Sequence, residues 1–126
     1  MEKPEINESE SRVSNISVSI LKFITSEGHI VDDNTKTLKE ICDLWEVKAI
    51  DVFSSFRYRA AVEARQVLMF SLKYELGLTL EQIGELVSGR DHSTVSHSIM
   101  KVNELASVDK DYLYRIIALG LDKWLK

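Results

Sequence analysis

Apolar residues recur along the chain at intervals of three and four, the spacing that lines one side of a helix. Ile16, Ile20, Phe23 and Ile24 predict a first helix over roughly 15–26, with Ser14 or Asn15 as its cap and Gly28 as its stop. The stretch HIVDDNTK that follows is rich in turn formers and reads as a loop. Leu38, Ile41 and Trp45 predict a second helix over 36–45, and Ile50 and Phe53 a short third one over 48–55. From Ala60 to Leu76 the chain reads AAVEARQVLMFSLKYEL, apolar around most of a helical circumference. A helix of that kind belongs in the middle of a core, and Gly77 ends it. Thr79, with Gln82 three residues on, forms a capping-box pattern for a fifth helix carrying Leu80, Ile83, Leu86 and Val87. Ser88-Gly89 breaks that helix. Asp91 caps a sixth from His92 to about Ala106, and Asp109 a seventh over 110–125 with Leu113, Ile116, Ile117, Leu121 and Trp124 on one side. No strand pattern competes, and the fold class expected is all-α.

Residues 79–106 are therefore two helices joined by a short turn containing Gly89, the form of a helix-turn-helix. At about 100° per residue, Val95, Ile99, Val102 and Ala106 fall within one arc of the second helix, which must pack inward. Ser93, His97 and Lys101 lie opposite, and His92 and Thr94 occupy the first turn. Hydrogen-bonding groups thus gather on the outward, N-terminal part of the helix, the part that such motifs set into the major groove. Small hydroxyls reach phosphates or base edges without filling the groove, imidazole can donate or accept, and a helix N-terminus attracts phosphate. Arg90 sits in the turn, within reach of a DNA backbone. A solvated helix beside a glycine turn shows the same pattern, so both readings stand on pattern alone.

Composition narrows the class. A chain of 126 residues makes one domain, and 44% apolar with 29% charged residues is a soluble profile with a real core. The sole proline is Pro4 and there are five glycines, which favours helices over a turn-rich β fold. One cysteine, Cys42, excludes an internal disulfide framework and a cysteine-cluster zinc site; it reads as a small buried apolar residue. No long uncharged apolar run could span a membrane. The start, MEKPEINESE, resembles neither a secretory nor a transit signal, so the expected place is the cytoplasm, at the nucleoid. The net charge of −4 argues against a nucleic-acid partner on its own. The charge is uneven, however. Residues 1–51 carry six basic and eleven acidic side chains, residues 52–101 six and five, and the remainder four of each. A DNA reading must rest on where particular cations point.

The wording of three segments then matters. SGRDHSTVSHSIMKV (88–102) resembles the signature of the C-terminal DNA-binding domain of the bacterial replication initiator DnaA family, Gly-Gly-Arg-Asp-His-(Thr/Ser)-Thr-Val followed by one residue, His, a small residue and a basic stretch. ARQVLMFSLKYELGLTLEQIGEL (64–86) resembles that family's Arg-Gln pair, central helix and first helix of the helix-turn-helix. LKEICDLWEVKAIDVFSSFRYR (38–59) resembles its opening helix pair and basic loop. The resemblance covers about 38–105. It implies double-stranded DNA as partner, with a box-like element as target. Asp91, His92 and Ser93 would touch base edges in the major groove. Thr94, His97 and Lys101 would contact the phosphate backbone, with Arg65 and Gln66 from the central helix. Arg57 would enter the adjacent minor groove, and Arg90 would support the backbone or the turn. The implied organisation is an acidic disordered tail (1–13), an accessory helix and loop (14–35), the DNA-binding domain (36–106) and a C-terminal accessory helix (107–126).

Departures accompany the match. Ser88 stands for the first Gly, Ser93 for a frequent Thr, and Glu63 and Met100 for frequent basic residues. No G-x-x-x-x-G-K-[ST] loop is present and 126 residues leave no room for an ATPase module, so the expectation is a stand-alone accessory protein. No catalysis, cofactor or metal is expected. His92 and His97 are five apart, off the i,i+4 spacing of a helical metal pair. Asp91, His92 and Ser93 are helix neighbours that cannot form a catalytic triad. The acidic residues are too scattered for a nuclease. His29 reads as solvated, and Trp45 and Trp124 as core or interface anchors. Tyr58 reads as packed on the central helix, with stacking on sugar or base as the other role. The competing function is a protein-interaction module that kept the fold and lost DNA. The terminal helices would serve the core, a partner or self-association, with the core favoured for the last one.

Overall fold

The computed structural model describes residues 8–26 and 32–126, with side chains from Val13 onward. The expected stop at Gly28, the loop position of His29 and the first seven residues lie outside the described residues. In chain order the helices are α1 (Glu8–Ser26), α2 (Lys36–Trp45), α3 (Ala49–Val52), α4 (Arg59–Tyr74), α5 (Leu80–Leu86), α6 (His92–Val108) and α7 (Lys110–Ala118), then a 3₁₀ turn, Asp122–Trp124. There is no strand among the described residues. The molecule is all-α, as its periodicity requires.

Helix α4 is the axis of the fold. Ala61, Ala64, Val67, Leu68, Met69, Phe70 and Leu72 are all buried, and α2, α3, α5 and α6 pack around them. Each of these side chains larger than alanine stabilises the fold by about 1.5–3 kcal/mol on burial. Gly77, at φ 68°, closes the helix: its N–H donates to the Lys73 carbonyl and that of Leu78 to Leu72. Helix α1 lies against α3 and α5, burying Ile16, Ile20 and Phe23, while α7 packs on α6 and buries Tyr112 and Ile116. All five join the same apolar cluster as Val67, Ile83 and Val95, so both terminal helices complete one core. Ser19 Oγ donates to Asp32 Oδ2 at 3.0 Å, and Asp32 Oδ1 accepts from the N–H groups of Asn34 and Thr35, which ties α1 to the entry of α2.

Four local expectations are corrected. Helix α1 begins at Glu8, inside the segment expected as a tail. Helix α3 is a single turn that buries Val52 and leaves Ile50 exposed. Helix α7 stops at Ala118 because Gly120 adopts φ 73° and the N–H groups of Gly120 and Leu121 turn back to the Ile117 and Ile116 carbonyls. Trp124 therefore packs from the 3₁₀ turn, stacked on Tyr74 with centroids 5.9 Å apart. In α7 the inward stripe is Tyr112–Ile116–Leu119, which rotates Ile117 out to the surface. Cys42 is buried as expected, and burial, then the Asp43 charge, pushes its thiol pKa up to about 12.

Candidate nucleic-acid interface

The helix-turn-helix is built from short-range rules. Thr79 Oγ1 accepts from the Gln82 N–H at 3.1 Å, and Gln82 Oε1 accepts from the Thr79 N–H at 2.9 Å, which starts α5 with both halves of the capping box. The turn after α5 needs two consecutive left-handed residues, Ser88 (φ 61°) and Gly89 (φ 62°). The chain then folds back until the Arg90 N–H donates to the Gly84 carbonyl at 2.9 Å. The approach is so close that a Cβ on Gly84 would lie 2.0 Å from the Arg90 carbonyl oxygen. Asp91 Oδ1 accepts from the Thr94 N–H at 2.8 Å and starts α6. Hydrogen bonds from the Thr94 backbone, and next from its side chain, hold the Asp91 carboxyl below its usual pKa.

Helix α6 divides as its sequence predicts. Val95, Ile99, Val102 and Ala106 are buried; His92, Ser93, Thr94, His97 and Lys101 are exposed. The side chains of His92, Ser93 and His97 are exposed and make no hydrogen bond among the described residues. Lys101 pairs with Glu104 at 3.3 Å, both ends in solvent. Such a pair contributes about 0–1 kcal/mol and releases easily.

The loop between α3 and α4 is held from three sides. Arg65 Nε donates to the Val52 carbonyl at 2.8 Å, and its Nη2 to the Asp51 and Phe56 carbonyls at 3.0 Å each. Arg90 Nη2 reaches across from the helix-turn-helix to the Ser54 carbonyl at 3.1 Å. Ser54 Oγ donates to the Asp51 carbonyl and accepts from the Phe56 N–H, at 2.8 and 3.1 Å. Tyr58 OH donates to Asp51 Oδ2 at 2.5 Å. On this braced loop Arg57 stands exposed, with no hydrogen bond or ion pair among the described residues.

Arg57, Arg65, Gln66, Arg90, Thr94 and Ser98 line one open cleft of about 370 Å³ between this loop, α4 and α6. Five of the ten expected contact residues thus meet there. The other five, Asp91, His92, Ser93, His97 and Lys101, are exposed along α6. Three expectations change. Arg65 is only 6% exposed and its guanidinium is committed to three backbone carbonyls, so it is a clamp rather than a side chain extended to a phosphate. Burial, and next the charge of Arg90, lower its pKa. Asp91 has one carboxylate oxygen engaged in the cap, which leaves only the other for a base. Tyr58 is 46% exposed and bonds to α3, rather than packing on the central helix.

Glu63, which stands for a frequent basic residue, does not line this cleft. It is buried, 3.4 Å from Arg59 Nε, and lines a separate cleft with Asp109 and Arg115. Met100 is exposed on α6. Two features escape sequence reasoning: the close approach at Gly84, which looks like any isolated glycine in a helix, and the Arg90–Ser54 bridge, which spans 36 residues.

A capped helix, a tight turn at a glycine, and a second helix with an apolar underside and a bare polar rim define a helix-turn-helix domain. More narrowly, residues 35–102, over half of the chain, match the model of the family described as bacterial DnaA protein helix-turn-helix, and the chain belongs to that family. It is 35% identical over 82 residues to the chromosomal replication initiator protein DnaA of Thermomicrobium roseum, covering 65% of this chain and 18% of that protein. With the protein of the same name from Nitrosomonas eutropha it shares 41% identity over 71 residues, 56% of this chain and 16% of the relative. The Zymomonas mobilis one is 37% identical over 73 residues, 58% and 15%. The chain spans under a fifth of the length of these curated relatives. No described helix is long and apolar enough to cross a membrane.

Proposed function

We propose that this chain binds double-stranded DNA with sequence preference, laying the start of α6 in the major groove and Arg57 in the neighbouring minor groove. The observation that carries the reading is the Arg90–Ser54 bridge. It fixes the loop bearing the exposed Arg57 relative to the helix bearing an exposed polar rim, so both arrive at a duplex as one rigid surface. His92 and Ser93 read base edges, with the free oxygen of Asp91. Thr94, His97, Lys101 and Gln66 hold phosphates, and Arg90 braces the turn. A few well-placed cations suffice, because phosphate contacts position and base contacts specify. The target is an element of the DnaA-box type. The role is accessory or regulatory, in replication initiation or on a mobile element, and involves no catalysis. The place of action is the nucleoid.

The alternative is an interaction module that has lost DNA, for which the net charge and the acidic residue at position 63 speak. The burial of Glu63 beside Arg59, away from the cleft, takes Glu63 out of that argument. Anisotropy titrations of a labelled DnaA-box duplex and a scrambled one, at two salt concentrations, separate the readings. Binding through several phosphates must weaken steeply with salt. His92→Ala is expected to cost about 1–3 kcal/mol on the box and little on the scrambled duplex. No binding of either duplex at low salt defeats the proposal.

A further inference from the structure

We infer that the exposed aromatic pair Phe56 and Tyr58 is an apolar arm of the same interface, packing on the deoxyribose faces of the strand that borders the groove entered by Arg57. The inference rests on the DNA-binding reading above and extends it to Phe56, joined with Tyr58 in one apolar surface.

Phe56 is 56% exposed and Tyr58 46%, whereas Phe53, the other aromatic of the loop, packs against the core. Isolated apolar residues on a surface are ordinary. These two are held in an unusual way. The Phe56 N–H donates to Ser54 Oγ and its carbonyl accepts from Arg65, so its backbone is fixed on both sides. The Tyr58 hydroxyl is anchored on Asp51. The two rings lie 6.5 Å apart, tilted by 38°. Aromatic faces presented on a pinned backbone lose little conformational freedom when something packs against them.

The occupant follows from continuity and from charge. Arg57 stands between the two rings in sequence, unpaired, and lines the cleft that also holds Thr94 and Gln66. Whatever engages Arg57 lies against its neighbours. A duplex offers the cation the negative potential of its minor groove, and the walls of that groove are apolar sugar faces on either side of it. Apolar packing adds affinity that salt leaves in place, beside the phosphate contacts that salt weakens. Aromatic contacts to nucleotides are of that kind.

The test uses the full chain and a fluorescein-labelled DnaA-box duplex, with thermal unfolding as the folding control. Phe56 lies outside the core, so its variants retain the fold. Phe56→Ala is expected to raise Kd about tenfold at every salt concentration, with an unchanged salt slope, and Phe56→Leu to recover part of the loss. Arg57→Ala is expected to flatten the slope by about one unit. A Phe56→Ala variant that binds like the wild type overturns this inference alone. A flattened slope in Phe56→Ala makes the ring a prop for Arg57 and also overturns it. A wild-type chain that binds no duplex overturns the DNA reading and this one together.

Discussion

Ser88 and Gly84 show how one side chain decides the geometry of the turn, in opposite directions. Ser88 holds φ 61° without being glycine, a conformation that costs an L-residue about 1–2 kcal/mol. Gly84 lies inside α5, where helix propensity alone favours alanine by about 0.5–1 kcal/mol. That gain is overwhelmed, because the atom 2.0 Å from the new methyl is a backbone oxygen that cannot swing aside. Ser88→Gly is therefore expected to raise stability by about 1 kcal/mol, and Gly84→Ala to lower it by about 3 kcal/mol while displacing Arg90. Urea denaturation midpoints of the two variants check both signs. The caps at Thr79 and Asp91 and the split faces of α6 were legible in the sequence because they depend on residues within one or two turns. The Gly84 contact was not, since it depends on where a turn six residues away lands.

Among elements, the α3–α4 loop owes its shape to the two arginines that reach into it. Read by periodicity, Arg65 is a polar position on a largely apolar helix and looks available to solvent. Only the packing of α3 on α4 turns it inward. An extended phosphate contact would predict an Arg65→Ala variant of full stability with a flatter salt slope. The clamp predicts a loss of about 2–4 kcal/mol on chemical denaturation, because three carbonyls lose a charged partner. Arg65→Lys restores little, because a single ammonium cannot reproduce the planar fork. Helix α2 fell where its apolar spacing put it, whereas α7 ended early: Leu121 and Trp124 continue the apolar spacing past Gly120, and the pattern does not register a left-handed residue between them.

At the scale of the molecule, net charge is a poor guide and its distribution a good one. The acidic excess is confined to residues 1–51, while Glu63 is buried away from the basic cleft. The family match, 35–102, leaves out α1 and α7, yet both bury side chains in the common core. Their contribution could be argued from sequence for α7 and not for α1, whose stripe fits a core or a partner equally well. The bridge between the loop and the helix-turn-helix was invisible, because its bond joins residues 54 and 90. Amide chemical-shift mapping with a DnaA-box duplex tests that pairing most directly. The expected result is one contiguous set of shifted amides, residues 54–58 and 90–101 moving together at a single affinity. Shifts confined to α1 and α7, with both of those segments still, would contradict it.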